Sequence, residues 1–387
     1  MKFIHTADWH LGKLVQGVHM TEDQRFVLDQ LIETIEQERP DALVIAGDLY
    51  DRAVPPTEAV RLLDDLLVKI VLDLNVPVIA VAGNHDSPGR LDFGSRALKN
   101  NGLHITGPIR AESEPVVLED AAGEVHFHLV PYTDPSMVRH VFEDPEIKTH
   151  DDAMRAVTAR ISAGMDPSAR HVFVGHAFVT PRGEEEDNTS DSERPLAIGG
   201  AEHVSAQHFK PFHYTALGHL HKAHYVLNET IRYSGSPLKY SISEEHHQKG
   251  FHIVDLAADG SVTVEKRLLS AKRDMRSVEG TITEILQHER SEDYVFVTLL
   301  DDTPVLFPME KVRSVYPNAM HVQRKTFAKE AGESTLGSRQ RMDPMQLFHA
   351  FYEEVKGDQP TQETAELFGE VLQEFLQADS EREEVKS

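Results

Sequence analysis

Five short runs rich in Asp, His and Asn punctuate the 387-residue chain. They are Asp8-Trp9-His10, Gly47-Asp48-Leu49-Tyr50-Asp51, Gly83-Asn84-His85-Asp86, Gly175-His176 and Gly218-His219-Leu220-His221. Carboxylate, imidazole and carboxamide without sulfur make a donor set for Mn2+, Mg2+, Fe2+ or Zn2+. The chain has no Cys, which excludes disulfides, thiolate metal sites and Cys nucleophiles together. Two divalent cations about 3.5–4 Å apart clamp a phosphoryl group and activate water. At that distance bare dications repel, so one carboxylate must bridge them.

Singly, the runs are weak. A D-x-H pair is common, a lone His after a strand is usually a satisfied polar residue, and Gly-Asp-x-x-Asp can be a turn capped by Asp48. Asn-His-Asp, by contrast, has no evident packing rationale. The set gains its force from placement. Each run follows an apolar, strand-like segment, and sites in open α/β sheets form beyond the carboxyl ends of strands.

Those segments alternate with helices over the first 110 residues. Lys2–His5, Asp41–Ala46 and Val76–Ala82 read as strands. Thr21 opens an amphipathic helix that it should cap, and Thr57–Leu74 has helical apolar spacing. Such alternation predicts an α/β fold with a largely parallel sheet. From Val116 the pattern turns β-rich: His126–Val130, His171–Gly175, Tyr214–Leu217, Ile231–Tyr233, Gly250–Asp255 and Val262–Lys266 read as strands, with Asp151–Ala163 a helix. Pro181–Gly200 is a polar loop. A small unit near Ser277–Lys325, a polar linker at Ala328–Arg341, and amphipathic helices over Asp343–Gly357 and Thr361–Ala378 complete the chain.

The order D-x-H, G-D-x-x-D, G-N-H-D, G-H, G-H-x-H resembles the calcineurin-like metallophosphoesterases. Arg232–Glu245, Lys249-Gly250, Ala7–Gly12 and Tyr214–His221 further resemble the bacterial SbcD nuclease-subunit family, over essentially the whole chain. The resemblance implies a two-sheet sandwich flanked by helices, with a small α+β cap. It implies that Asp8, His10, Asp48 and His221 hold one metal. Asp48, Asn84, His176 and His219 hold the other, with Asp48 as the bridge and Mn2+ expected, Mg2+ being the alternative. His85 would be a nonligand that stabilises the transition state and protonates the leaving oxygen, with the Asp51 carboxylate paired to it. Arg52 would contact phosphate. The implied domains are 1–270 (nuclease), 271–327 (cap and DNA binding), 328–342 (linker) and 343–387 (partner binding). The implied partners are double-stranded DNA ends and hairpins, and an SbcC-type coiled-coil ABC ATPase bound through 343–378. A homodimer within a heterotetramer is implied too, with the helix Thr57–Leu74 and the segment after Pro88 matching the family's dimer contact. Repair, recombination and replication of DNA are the family's setting.

The composition has its own bearing. Asp and Glu number 64 against 39 Lys and Arg, a net charge of −25. Phosphate backbones favour basic surfaces, so this argues against a free-standing nucleic-acid binder. Residues 262–345 carry 13 basic and 13 acidic side chains, a neutral stretch consistent with the DNA-placing role that the resemblance implies for the small unit. Lys266, Arg267, Lys272, Arg273 and Arg276 lead into the small unit, and Arg324, Lys325 and Lys329 leave it; a solvated junction explains them equally well. No apolar run approaches a membrane span and no signal peptide precedes the first strand, so a cytoplasmic, nucleoid-associated protein is expected. Besides a DNA nuclease, two alternatives are weighed: a small-molecule (cyclic) nucleotide phosphodiesterase, against which the appended C-terminal helices argue, and an inert scaffold subunit, against which the intact ligand pattern and His85 argue.

Overall fold

The computed structural model describes residues 1–182, 191, 193, 202–325 and 343–372. Most of the loop 183–201, the linker 326–342 and the tail after 372 lie outside the described residues. Lys329, Phe375 and Leu376 therefore fall there.

Two six-stranded sheets form the body. The first runs in the order Val262–Leu268, Gly250–Leu256, Lys2–Thr6, Ala42–Ile45, Val78–Val81, Leu103–Thr106. Its last four strands are parallel, and Gly250–Leu256 joins antiparallel to the first strand. The second runs His224–Tyr225, Ile231–Tyr233, Tyr214–Gly218, Arg170–His176, Gly123–Val130, Val116–Asp120. Its four inner strands are parallel.

Alternation along each strand decides which side chains meet. Phe3, Val44 and Ile79 of the first sheet pack against Phe127, Val172, Val174 and Tyr214 of the second. Phe3 meets Phe127 and Tyr214 edge-on at 5.5 and 5.6 Å between ring centroids, the geometry that ring quadrupoles favour. Ile4, Leu43 and Ile45 point the other way, onto Leu28 and Leu31 of the helix Thr21–Glu38 and Leu62 and Leu66 of the helix Thr57–Leu67. On the far side Phe173 and Leu217 pack with Met154 and Val157 of the helix His150–Ala163. Near-continuous apolar strands are what two covered faces require, and the layers are helix, sheet, sheet, helix.

Several local expectations change. Thr21 does not cap its helix: its hydroxyl is buried without a partner among the described residues, and Met20 occupies the cap position with no side-chain bond. The helix expected over Thr57–Leu74 is α-helical to Leu67 and π-helical over Val68–Asp73. A helix at Pro135–Phe142, capped by Asp134, was not expected, although Met137, Val138, Val141 and Phe142 keep helical spacing.

Strands Met275–Gly280, Tyr294–Leu299 and His321–Arg324 form a small sheet in that order. By compactness the chain divides into two units with interleaved segments. One holds 1–278, 290–296 and 316–321; the other holds 279–289, 297–315 and 322–387. In the second unit Thr281 and Glu284 close a capping box on the short helix Ile282–Ile285. Asp343 and Gln346 do the same for the helix Pro344–Lys356, which ends at Gly357 in the left-handed conformation, the usual glycine stop. Among the described residues no helix is long and apolar enough to cross a membrane.

Candidate metal centre

The five runs converge because every one leaves the carboxyl end of a parallel strand. Main-chain bonds then zip the first two loops together: Asp8 N to Gly47 O at 3.0 Å, His10 N to Asp48 O at 2.9 Å and Leu11 N to Leu49 O at 2.9 Å. On the second sheet, register sets Gly218 beside His176. The turns are tight enough that Asp8, His10, Asp48 and His219 adopt φ of 55°, 45°, 50° and 110°. Non-glycine residues rarely adopt such angles, and strain of this kind concentrates at functional sites. Glycine is needed where backbone presses on ligand: a Cβ at Gly47 would strike the His176 ring, and one at Gly83 would strike the Asp48 carboxylate.

Ligand atoms of Asp8, His10 and His221 lie within 4.8 Å of one another, as do those of Asp8, Asp48 and His176. Asp48 Oδ2 stands 3.5 Å from both His10 Nε2 and His176 Nε2, between the two groups. Asn84 Oδ1 is 2.9 Å from His176 Nε2. His219 belongs to neither group; its ring lies edge-on to His176 with centroids 5.4 Å apart. A third group, His10, Asp51 and His85, also falls within 4.8 Å, although neither Asp51 nor His85 was expected as a ligand.

The donor set fits divalent cations. Asp8 Oδ2 is buried with no hydrogen-bond partner among the described residues, an arrangement that costs free energy unless something binds there. Burial, and then the neighbouring Asp48, push the Asp8 carboxyl well above its ordinary pKa. Burial lowers His10 and His219 well below theirs, with His221 and His176 respectively the next cause. Neutral imidazoles and crowded carboxylates are the state that a cation completes. His176 Nδ1 donates to Ala46 O at 3.0 Å, which leaves Nε2 as the ligating nitrogen.

His85 is held differently from the expectation. Its Nδ1 donates to the main-chain carbonyl of Asp51 at 2.8 Å. The Asp51 carboxylate turns to Lys13 Nζ at 2.8 Å. A carbonyl can only accept, so Nδ1 carries a proton and Nε2 is the nitrogen free to face a substrate. Arg52 is exposed beside this pair.

Asp86 has the packing rationale that the sequence seemed to lack. Buried, it accepts from Leu49 N, Tyr50 N and Gly83 N at 3.1, 2.9 and 2.9 Å. It thus ties the second and third loops together, and burial followed by Asp48 raises its pKa to about 7. Other residues were given no role by the sequence. Gln24, buried in the first helix, donates to Trp9 O and His10 O at 3.0 and 2.7 Å and accepts from Gly12 N. Glu244 and Lys249 lie buried behind His221. Glu193, in the polar loop, accepts from His221 N at 2.6 Å.

The cations proposed to lead DNA into the small unit are mostly engaged. Arg267 pairs with Glu38 and Glu265, Lys272 and Arg273 with Glu22, Arg276 with Asp293, and Lys325 with Glu279. Lys266 donates to Gln248 O. Such pairing is compatible with a solvated junction as well as with a DNA-placing surface.

Residues 1–223 match the calcineurin-like phosphoesterase family, and residues 271–356 match the family described as the type 5 capsule protein repressor C-terminal domain. The SbcD subunit of the nuclease SbcCD from Staphylococcus epidermidis is 35% identical over 331 residues, covering 84% of this chain and 86% of that protein. A dimetal phosphatase from Danio rerio is similar at 12% identity and TM-score 0.40, over 69% of this chain and 96% of the other. The protein TT1561 of Thermus thermophilus is similar at 9% identity and TM-score 0.37, over 68% and 98%.

Proposed function

Because this chain belongs to the calcineurin-like phosphoesterases and, within them, to the SbcD family of nuclease subunits, we propose that it is a two-metal phosphodiesterase that cuts DNA at double-strand ends and hairpins. It does so as the nuclease subunit beside an SbcC-type ATPase. The observation that carries this reading is the position of Asp48 Oδ2, 3.5 Å from an imidazole on either side, with His85 adjoining.

Asp8, His10, Asp48 and His221 hold one cation, and Asp48, Asn84, His176 and His219 the other; Mn2+ suits the all-N,O set. When bound, the pair neutralises phosphodiester oxygens and activates a water. The chain's own residues do the rest. Asp48 keeps the two groups in register, its Oδ1 accepting His85 N at 2.9 Å. His85 presents Nε2 to the leaving oxygen and, as imidazolium, gives up that proton. Its ring stands perpendicular to that of His10 at 4.7 Å between centroids. Arg52, exposed at the rim, meets the phosphate.

The partner reading rests on the C-terminal helices. Phe348 stacks on Phe368 at 4.0 Å between centroids, so the helices Pro344–Lys356 and 362–372 pack together. Leu347, Phe351, Leu367 and Val371 nevertheless stay largely exposed. An apolar face of this kind suits a helix-in-groove contact with a coiled coil. The segment assigned to this contact, 343–378, is described as far as residue 372. A homodimer of nuclease subunits within a heterotetramer completes the proposal; the exposed Val60, Val68, Leu72 and Phe93 lie in the segments that would meet.

The test is hydrolysis of blunt duplex DNA, hairpin DNA and a cyclic nucleotide, in Mn2+ or Mg2+, with and without the ATPase and ATP. DNA cleavage in Mn2+, with the cyclic nucleotide left intact, is expected. Hydrolysis of the cyclic nucleotide alone would make it a small-molecule phosphodiesterase. No hydrolysis at all, with both ions bound, would make it a scaffold.

A further inference from the structure

Behind His221, on the side away from His10, lies a buried acid and a buried base that the ligand pattern does not use. Glu244 is 0% exposed and Lys249 8% exposed. Uncompensated charges at such depth are costly, so their retention calls for a use. Glu244 Oε1 accepts from His221 Nδ1 at 2.9 Å. Its other oxygen takes Lys249 Nζ and, at 3.3 Å, Tyr240 N. Lys249 Nζ also donates to the main-chain carbonyl of His221 at 2.9 Å and to Ser236 Oγ at 2.8 Å. Both ends of His221, ring and backbone, are thus gripped by one ion pair. The same segment reaches the opposite side of the centre, because Tyr240 Oη donates to Trp9 O and accepts from Gln24 Nε2.

We infer that Glu244, backed by Lys249, is the positioning residue of the metal site nearer His10. As acceptor it fixes the proton of His221 on Nδ1, so that Nε2, 3.1 Å from His10 Nε2, always faces the cation. His176 obtains the same result from a backbone carbonyl. His221 obtains it from a side chain and can therefore be altered by mutation. Lys249 neutralises that carboxylate and holds the His221 backbone, so the imidazole enters the site without rotational freedom. A carboxylate behind a ligating imidazole raises its basicity, and removing such a partner typically costs about 10–100-fold in metal affinity. This inference rests on the two-metal reading above.

The test is Mn2+ binding to the metal-free full-length protein, followed by calorimetry and by EPR of free Mn2+. Two double variants avoid leaving one buried charge unpaired: E244Q/K249M keeps an acceptor for Nδ1–H, and E244L/K249M removes it. Thermal unfolding of the metal-free forms shows that both fold. Wild type binds two ions. E244Q/K249M binds both within about tenfold of wild type, while E244L/K249M loses about 10–100-fold at one site only. His219→Ala, a ligand of the other site, serves as the reference for loss there, and combining it with E244L/K249M weakens both sites. Equal affinities for the two double variants would overturn the positioning role, as would loss at both sites in E244L/K249M alone. Fewer than two ions on wild type would instead overturn the two-metal reading.

Discussion

His85 has one ring nitrogen committed to the chain and one left over. Nδ1–H is bound to the Asp51 carbonyl, so Nε2 is the nitrogen that the proposed mechanism uses. A general acid contributes roughly 10²–10⁴-fold to a phosphoryl or acyl transfer. His85→Gln is therefore expected to lower DNA cleavage by that order while the protein still binds two Mn2+ ions. Asp51→Ala makes the sharper comparison. Its main-chain carbonyl survives the substitution, so His85 keeps its orientation and cleavage falls far less than in His85→Gln; equal losses would show that the carboxylate matters after all. The convergence of the five runs was legible because each follows a strand-like apolar segment, and their carboxyl ends meet at one place in the fold. Asp86 was given no role there: it sits in a ligand run, and its three backbone bonds make it a loop tie.

At the scale of elements, strands and helices were recoverable where apolar residues keep a period, as in Ala42–Ile45 and Thr57–Leu67. The Ser234–Lys249 segment carried the family resemblance, but it has no apolar period to show which way Glu244 and Lys249 face. Only the fold brings Gly250–Leu256 beside Lys2–Thr6 and so draws the residues before it under the centre. Gln24 hid in the same way inside an amphipathic helix. The C-terminal helices carry the element-level prediction. They pack on each other through Phe348 and Phe368 and keep an apolar face open, so deleting residues 343–387 should abolish copurification with the ATPase partner. Hydrolysis of bis-p-nitrophenyl phosphate should persist. A truncated chain that still copurifies would place the contact elsewhere.

Across the whole molecule, histidines are buried in the sandwich as well as at its end. His5, bonded to Tyr214 Oη and Leu217 O, is held well below its ordinary pKa by burial, then by His252. Burial, then His171, lowers His128 to about 3, and burial lowers His252 to about 4. A histidine whose folded pKa lies below the unfolded value of about 6.5 contributes its full stability above pH 6.5. That contribution is lost as pH falls toward the folded pKa, at up to about 1.4 kcal/mol per pH unit for each such group. Urea unfolding of the metal-free protein should therefore show His128→Leu less sensitive than wild type between pH 6.5 and about 4; parallel curves would refute it. Net charge is also a property of the whole. At −25, the subunit is expected to hold DNA weakly without its partner.

The centre forms where the two sheets end together: Asp8, Asp48 and Asn84 come from the first, and His176, His219 and His221 from the second. Asp48, poised between the two groups, is the residue on which the two-metal account depends. EPR of the Mn2+-loaded protein measures this directly, since two bridged ions give a spin-coupled signal and isolated ions do not. Wild type should show coupling, and Asp48→Ala should lose both the coupling and DNA cleavage. A coupled pair that persists in Asp48→Ala, with cleavage at the wild-type rate, would contradict the account.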